Sequence, residues 1–151
     1  MTIRRNFIFQ STAFNTSEPK EYFINESCFG DDLARWLIER LRAQGFHVEP
    51  EPRQEDFGWY LTFRFGEAEY DLVIGCRPGV GRKPGDWMGT IERRAGFWAS
   101  IFGARSRGVQ VEAPEALHAV LSPASEISNL RWFSDADYKK EENGQKTPTA
   151  A

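Results

Sequence analysis

The chain has little of what most enzymes use for chemistry. Among 151 residues there are two histidines, His47 and His118, and two cysteines, Cys28 and Cys76. Neither pair has the close spacing of metal ligands, so no metal site and no cofactor is expected. One cysteine pair in a chain long enough to bury a core does not read as a secreted disulfide framework. No Gly-x-Ser-x-Gly, His-Glu-x-x-His, Cys-x-x-Cys or dinucleotide fingerprint occurs. Long apolar runs are also missing. No stretch approaches the ~18 residues that mark a membrane span, and Arg4-Arg5 is followed by too short an apolar patch for a signal peptide. These absences point to a cytoplasmic setting and no membrane partner. The net charge of -3 argues against a general nucleic-acid binder.

Aromatic residues are plentiful at 14%, within 40% hydrophobic residues overall. A chain of this length buries roughly 70% of its unfolded surface, enough for a core without metal or disulfide. The tryptophans at 36, 59, 87, 98 and 132 fall one per major element, which suits a shared core better than an aromatic cage. Charge is uneven. Residues 1–76 carry a net -5, residues 77–107 a net +5 and residues 108–151 a net -3.

Residues 3–9 are β-branched and aromatic and read as a strand, with residues 22–24 as a short second strand, the two forming a hairpin. Asn25-Glu26-Ser27 offers helix-start chemistry. Leu33, Trp36, Leu37, Ile38 and Leu41 recur at helical spacing, with Asp31 and Asp32 early, Arg40 and Arg42 late and Gly45 as the stop. Residues 46–48 lead into a strand, and Pro50 and Pro52 make residues 49–56 edge or loop. Trp59, Leu61, Phe63 and Phe65 alternate with Tyr60, Thr62 and Arg64. A turn at 66–68 then sends Tyr70, Leu72, Ile74 and Cys76 back antiparallel. Residues 87–93 read as a further strand, and residues 96–103 as a strand by composition or a helical turn by the spacing of positions 97, 98, 101 and 102, with strand preferred. Pro114 opens a second helix with the stripe Leu117, Val120 and Leu121, and residues 127–133 form a last strand. Residues 139–151 lack apolar anchors and read as a disordered tail whose removal leaves stability unchanged. The expected fold is therefore α+β: one domain over residues 1–138, with a mainly antiparallel sheet of about 5–6 strands and two helices on one face.

The stretch Gln54-Glu55-Asp56-Phe57-Gly58-Trp59-Tyr60-Leu61 is the best candidate site. Two acids without an adjacent cation sit where a polar loop becomes an apolar strand. Gly58 there signals a bulge, a positive φ or the close approach of another chain. With Arg64, Glu55 or Asp56 would suit acid–base work if the loop let them converge. The ordinary reading is that both acids cap the turn. In the basic middle, Arg77, Arg82, Lys83, Arg93 and Arg94 would attract an anion if clustered, whereas alternation would leave them on a solvated face. The run Gly79-Val80-Gly81-Arg82-Lys83-Pro84-Gly85 resembles a phosphate loop only superficially, because a strand follows where that mechanism needs a helix. Cys28 lies near a helix start, where a thiol can be activated, although a small buried hydrophobe is the commoner role.

Asn25-x-x-x-x-Gly30-Asp31-Asp32-Leu33-Ala34-x-Trp36-Leu37, Gly45 and then Glu55-Asp56-Phe57-Gly58-Trp59 resemble a group of small uncharacterised bacterial proteins. Those proteins carry a similar helix, an acid-Asp-aromatic-Gly-Trp junction and a later tryptophan strand, as at Trp87. The resemblance covers residues 22–133. It implies a bacterial cytoplasmic setting and one compact domain, and no activity or catalytic residue. The expected function is a non-catalytic interaction module of regulatory or toxin-neutralising type, with another protein as partner. The alternatives are a small enzyme using Glu55 or Asp56 with Arg64, and an anion or nucleic-acid binder through residues 77–107.

Overall fold

The computed structural model describes residues 2–82, 85–94 and 108–149. The reading of residues 96–103, together with Lys83 and Trp98, lies outside the described residues. Among the described residues, seven strands form one antiparallel sheet: β1 (Asn6–Gln10), β2 (His47–Val48), β3 (Arg53–Glu55), β4 (Gly58–Phe65), β5 (Ala68–Arg77), β6 (Asp86–Arg93) and β7 (Ser128–Phe133). The order is β2-β4-β5-β6-β1-β7, and β3 also pairs with β4 beside β2. Helices α1 (Asp31–Ala43) and α2 (Glu112–Leu121) contact each other, and their stripes join the same core as the inner face of the sheet. The α+β class and the antiparallel sheet are as expected. The sheet gains a strand at its edge because Pro50 and Pro52 split one extended stretch into β2 and β3, which is how proline behaves at an edge.

The inner face follows from alternation. Register aligns Trp59 with Ile74, Leu61 with Leu72 and Phe63 with Tyr70, and then Leu72 with Ile91 and Cys76 with Trp87. A one-residue slip would turn this whole set to the opposite face. On α1, Leu33, Ala34, Leu37, Ile38 and Leu41 are buried, while Trp36 is only partly so. Phe7 pairs with Gly89, and a Cβ at Gly89 would collide with the Phe7 ring. The glycine is the space that the ring occupies.

Three expectations need correction. Residues 22–24 are not a strand, and β1 pairs with β6 and β7 instead. The Ile24 amide donates to the Gln54 side chain, at 2.5 Å, so it is not available to a ladder. Next, α1 begins at Asp31 rather than beside Asn25. Asn25 serves a local turn, accepting from the Ser27 amide at 3.0 Å and the Ser27 hydroxyl at 2.7 Å. That is the usual competition of asparagine side chains with helix.

The third correction concerns the tail. Residues 135–140 form a short helix, α3 (Asp135–Lys140), capped by Ser134, and residues 141–149 lie along the sheet. Trp132 and Gln145 exchange backbone hydrogen bonds of 2.7 and 2.8 Å, and the Arg4 amide donates to Pro148 at 2.7 Å. Pro148 is buried, and Gly144 sits against the Phe133 ring. The tail is anchored by backbone pairing to a sheet edge, which composition does not reveal. Asp135 of α3 meets Asn6, and the tail covers Phe133 through Gly144. Burial pushes the Asp135 carboxyl up, but hydrogen bonds from Asn6 and Arg5 outweigh that and hold it below its usual range.

Candidate functional site

The junction is a tight hairpin. Glu55 pairs with Gly58 across a two-residue loop, Asp56-Phe57. Gly58 has φ 142°, and a Cβ there would collide with the carbonyl oxygen of Ile74 on β5. Both the positive φ and the close approach expected of this glycine are therefore present. Trp59 faces inward and is buried.

Gln54 and Trp59 hold a second segment, residues 22–31, against the hairpin. The Gln54 carbonyl oxygen accepts from the Ile24 amide, and its amide nitrogen donates to the Asn25 carbonyl at 3.1 Å. The indole of Trp59 donates to the Cys28 carbonyl at 3.0 Å. Phe23 packs edge-on against Trp59 with centroids 5.4 Å apart. Tyr22 donates to the buried carboxylate of Asp31, and that hydrogen bond is the main cause of its raised hydroxyl pKa. A buried glutamine making backbone hydrogen bonds is a strong local constraint, since losing its partners would leave buried polar groups unpaired. So Gln54 and Trp59 position a loop.

That loop and the hairpin tip present apolar side chains to water. Tyr22, Ile24 and Phe57 are 57%, 71% and 62% exposed. An open cleft of about 730 Å³ lies beside Ile24, lined among others by Pro19, Phe29 and Asp56. Residues 15–30 and 53–58 carry the acids Glu18, Glu21, Glu26, Glu55 and Asp56 against only Lys20 and Arg53. All five acids are exposed. Sequence reasoning found Glu55 and Asp56 and placed Phe57 in the candidate stretch without a role, but missed Tyr22 and Ile24. The available signal was an aromatic at the tip of a two-residue hairpin and a Tyr-Phe-Ile run between acids.

The other proposed residues are not brought together. Arg64 is exposed on β4, six residues beyond Gly58, hence about 20 Å from the hairpin end at ~3.3 Å per residue. Among the described residues, the side chains of Glu55 and Asp56 make no ion pair and accept no hydrogen bond from the turn, so a turn-capping role is not seen either. Arg77 pairs with Asp86 at 2.7 Å and with Glu141, and these carboxylates hold its pKa above the usual value. Arg93 donates to the Gly108 carbonyl at 3.1 Å, and Arg94 to Asp71 at 3.2 Å. Arg93 stands opposite Tyr70, seven residues from Arg77 along β5, so Arg77 and Arg93 are about 23 Å apart. Arg82 is exposed and unpaired among the described residues, and Lys83 lies outside them.

A second cleft, about 410 Å³, lies where α1 meets α2, beside Trp36, Arg40, Val120 and Pro123. Its one cation is already engaged: Arg40 stacks 4.5 Å over Trp36 and pairs with Glu126 at 3.3 Å. Among the described residues, no group of three or more His, Cys, Asp or Glu side chains is placed to hold a metal ion, and no helix is long and apolar enough to cross a membrane. Comparison of the chain with known protein families, with curated proteins and with solved structures found no match. The site therefore rests on its own geometry.

Proposed function

We propose that this chain is a non-catalytic protein-interaction module, of the regulatory or toxin-neutralising type, acting through residues 22–29 and the hairpin tip at 55–57. The observation that carries the reading is the exposure of Tyr22, Ile24 and Phe57 on two segments held rigidly together by Gln54 and Trp59. Exposed apolar side chains rimmed by charge are characteristic of interaction surfaces, and aromatic anchors are enriched in their centres. Rigidity adds to the argument, because a preorganised surface loses less conformational entropy on binding. The carboxylate rim selects a partner whose contact segment is apolar and flanked by lysine or arginine, since complementary charge steers encounter and rejects acidic surfaces.

The enzyme reading has less support, because Glu55 and Arg64 stand about 20 Å apart. The anion reading is weakened by the carboxylate and carbonyl partners of Arg77, Arg93 and Arg94. The test is capture of partners from native cell lysate, after nuclease treatment, by the wild type and by an Ile24→Ser/Phe57→Ser double variant of confirmed fold. A stoichiometric protein held by the wild type and lost by the variant supports the reading. Equal capture by both removes this surface from consideration, and a complex abolished by nuclease would favour nucleic acid instead.

A further inference from the structure

The two cysteines stand 48 positions apart in the chain, but the fold brings their segments together. Cys28 lies in the loop fastened to the hairpin: its carbonyl accepts from Trp59, and its thiol donates to the Asp56 carbonyl at 3.7 Å. Trp59 pairs across the sheet with Ile74, two residues before Cys76 on the same inner face. The loop reaches that face, because a Cβ on Gly30, two residues after Cys28, would lie 3.3 Å from the Ile74 side chain and 3.4 Å from the Trp59 ring. Both side chains are free and partly accessible. The two thiols therefore sit on two adjoining elements, the fastened loop and β5.

We propose that Cys28 and Cys76 form a reversible intramolecular disulfide that acts as a redox-sensitive clasp between the loop 22–31 and β5. The co-reactant is a low-molecular-weight disulfide. Cys28 loses its proton and attacks one sulfur of that disulfide. A Cys28–S bond forms, the S–S bond of the reagent breaks, and the departing thiolate takes up a proton. Cys76 then loses its proton and attacks Cys28 Sγ. The protein disulfide forms, the mixed disulfide breaks, and the second reagent thiolate leaves and is protonated. Two protein thiols are oxidised and one small disulfide is reduced to two thiols, the usual route of thiol–disulfide exchange. The order of attack follows from environment, since burial raises the Cys76 thiol pKa and makes it the poorer first nucleophile. Closure costs the hydrogen bond from Cys28 to the Asp56 carbonyl, because a disulfide has no S–H to donate. The loop is thereby released from the hairpin tip at one point and fixed to β5 at another. Transient disulfides of this kind occur in reducing compartments as sensors.

The experiment exposes the full chain to glutathione disulfide, traps free thiols by alkylation and maps the products by peptide mass spectrometry, with dithiothreitol reversal. The expected product is a monomer lacking two hydrogen atoms, with the Cys28 and Cys76 peptides joined. Cys76→Ala, which keeps the site small and apolar, should stop at a glutathione adduct on Cys28, and Cys28→Ser should leave Cys76 largely unmodified. Circular dichroism confirms that each variant folds. Overturning results are a wild-type adduct that persists on Cys28 with Cys76 still alkylatable, a disulfide between two chains, or no reaction in the folded state. None of these readouts depends on a partner protein, so failure of the clasp leaves the interaction reading standing.

Discussion

Two segments outside the sheet lie against it, and they are held in opposite ways. Residues 22–31 are fastened from below: Gln54 and Trp59 on β3 and β4 reach up to their backbone, while Tyr22 and Ile24 remain in water. The segment from Ser134 to Thr149 is fastened edge-on. It pairs with Trp132 and Arg4 through its own backbone and covers Asn6 and Phe133. The first segment is a rigid platform that leaves apolar groups available. The second is a lid that buries them. The apolar run of the first segment yields a candidate contact surface and the polar second segment a structural cover, and the difference also lies in which partner supplies the hydrogen bonds.

The largest test of this contrast is Trp59→Ala. It removes a buried indole and leaves the Cys28 carbonyl without its donor, so a loss on the order of 3–5 kcal/mol is expected in chemical denaturation. If the loss were no greater than that for deleting the tail, the platform would not be held from below. Gly58→Ala comes next, at about 1–3 kcal/mol, from backbone strain and collision with the Ile74 carbonyl. A stabilised Gly58→Ala protein would contradict the hairpin geometry.

Truncation after residue 140 removes the Trp132–Gln145 pairing and the exposed Arg77–Glu141 ion pair. It should cost about 1–2 kcal/mol, visible as a lower Tm. An unchanged Tm would restore the sequence-based expectation of a free tail. The sheet beside the lid should also respond to pH. His118 Nδ1 accepts from the Trp132 indole at 3.0 Å, and burial holds its pKa below the usual 6.5. The unfolded chain therefore binds the extra proton first. The His118 contribution is fully present above about pH 6.5 and is lost as pH falls toward the lower folded value. His118→Gln should flatten the stability profile in that window, and an unchanged slope would assign the effect elsewhere.

The smallest expected effect is at the rim. Glu55→Gln should change stability by less than about 0.5 kcal/mol, because its exposed side chain has no partner among the described residues. Partner capture should weaken in low salt and differ less at high salt. Equal capture at both salt concentrations would remove the carboxylate rim from the proposed surface.

Much of the fold was legible locally. The alternation from Trp59 to Cys76 has period two over both strands, so pairing and the buried face follow from residue order alone. The stripe Leu33, Leu37, Ile38 and Leu41 specifies the buried side of α1 in the same way. Residues 22–24 were misread as a strand because their composition is that of a strand, while their backbone partner is a glutamine 30 positions away.

The sequence by itself determined the α+β class, the central hairpin, the inward sides of the helices and the need for glycine at position 58. Each of these depends on neighbours within a few residues or on a fixed period. Only the tertiary structure decided that Gln54 and Trp59 hold a loop, that Arg64 stands far from Glu55, that Cys28 lies beside the end of β5, and that residues 141–149 close over Phe133. These arrangements rest on single hydrogen bonds and contacts between segments distant in the chain. Their physical basis is the obligation of buried backbone and side-chain polar groups to find partners wherever the fold brings them.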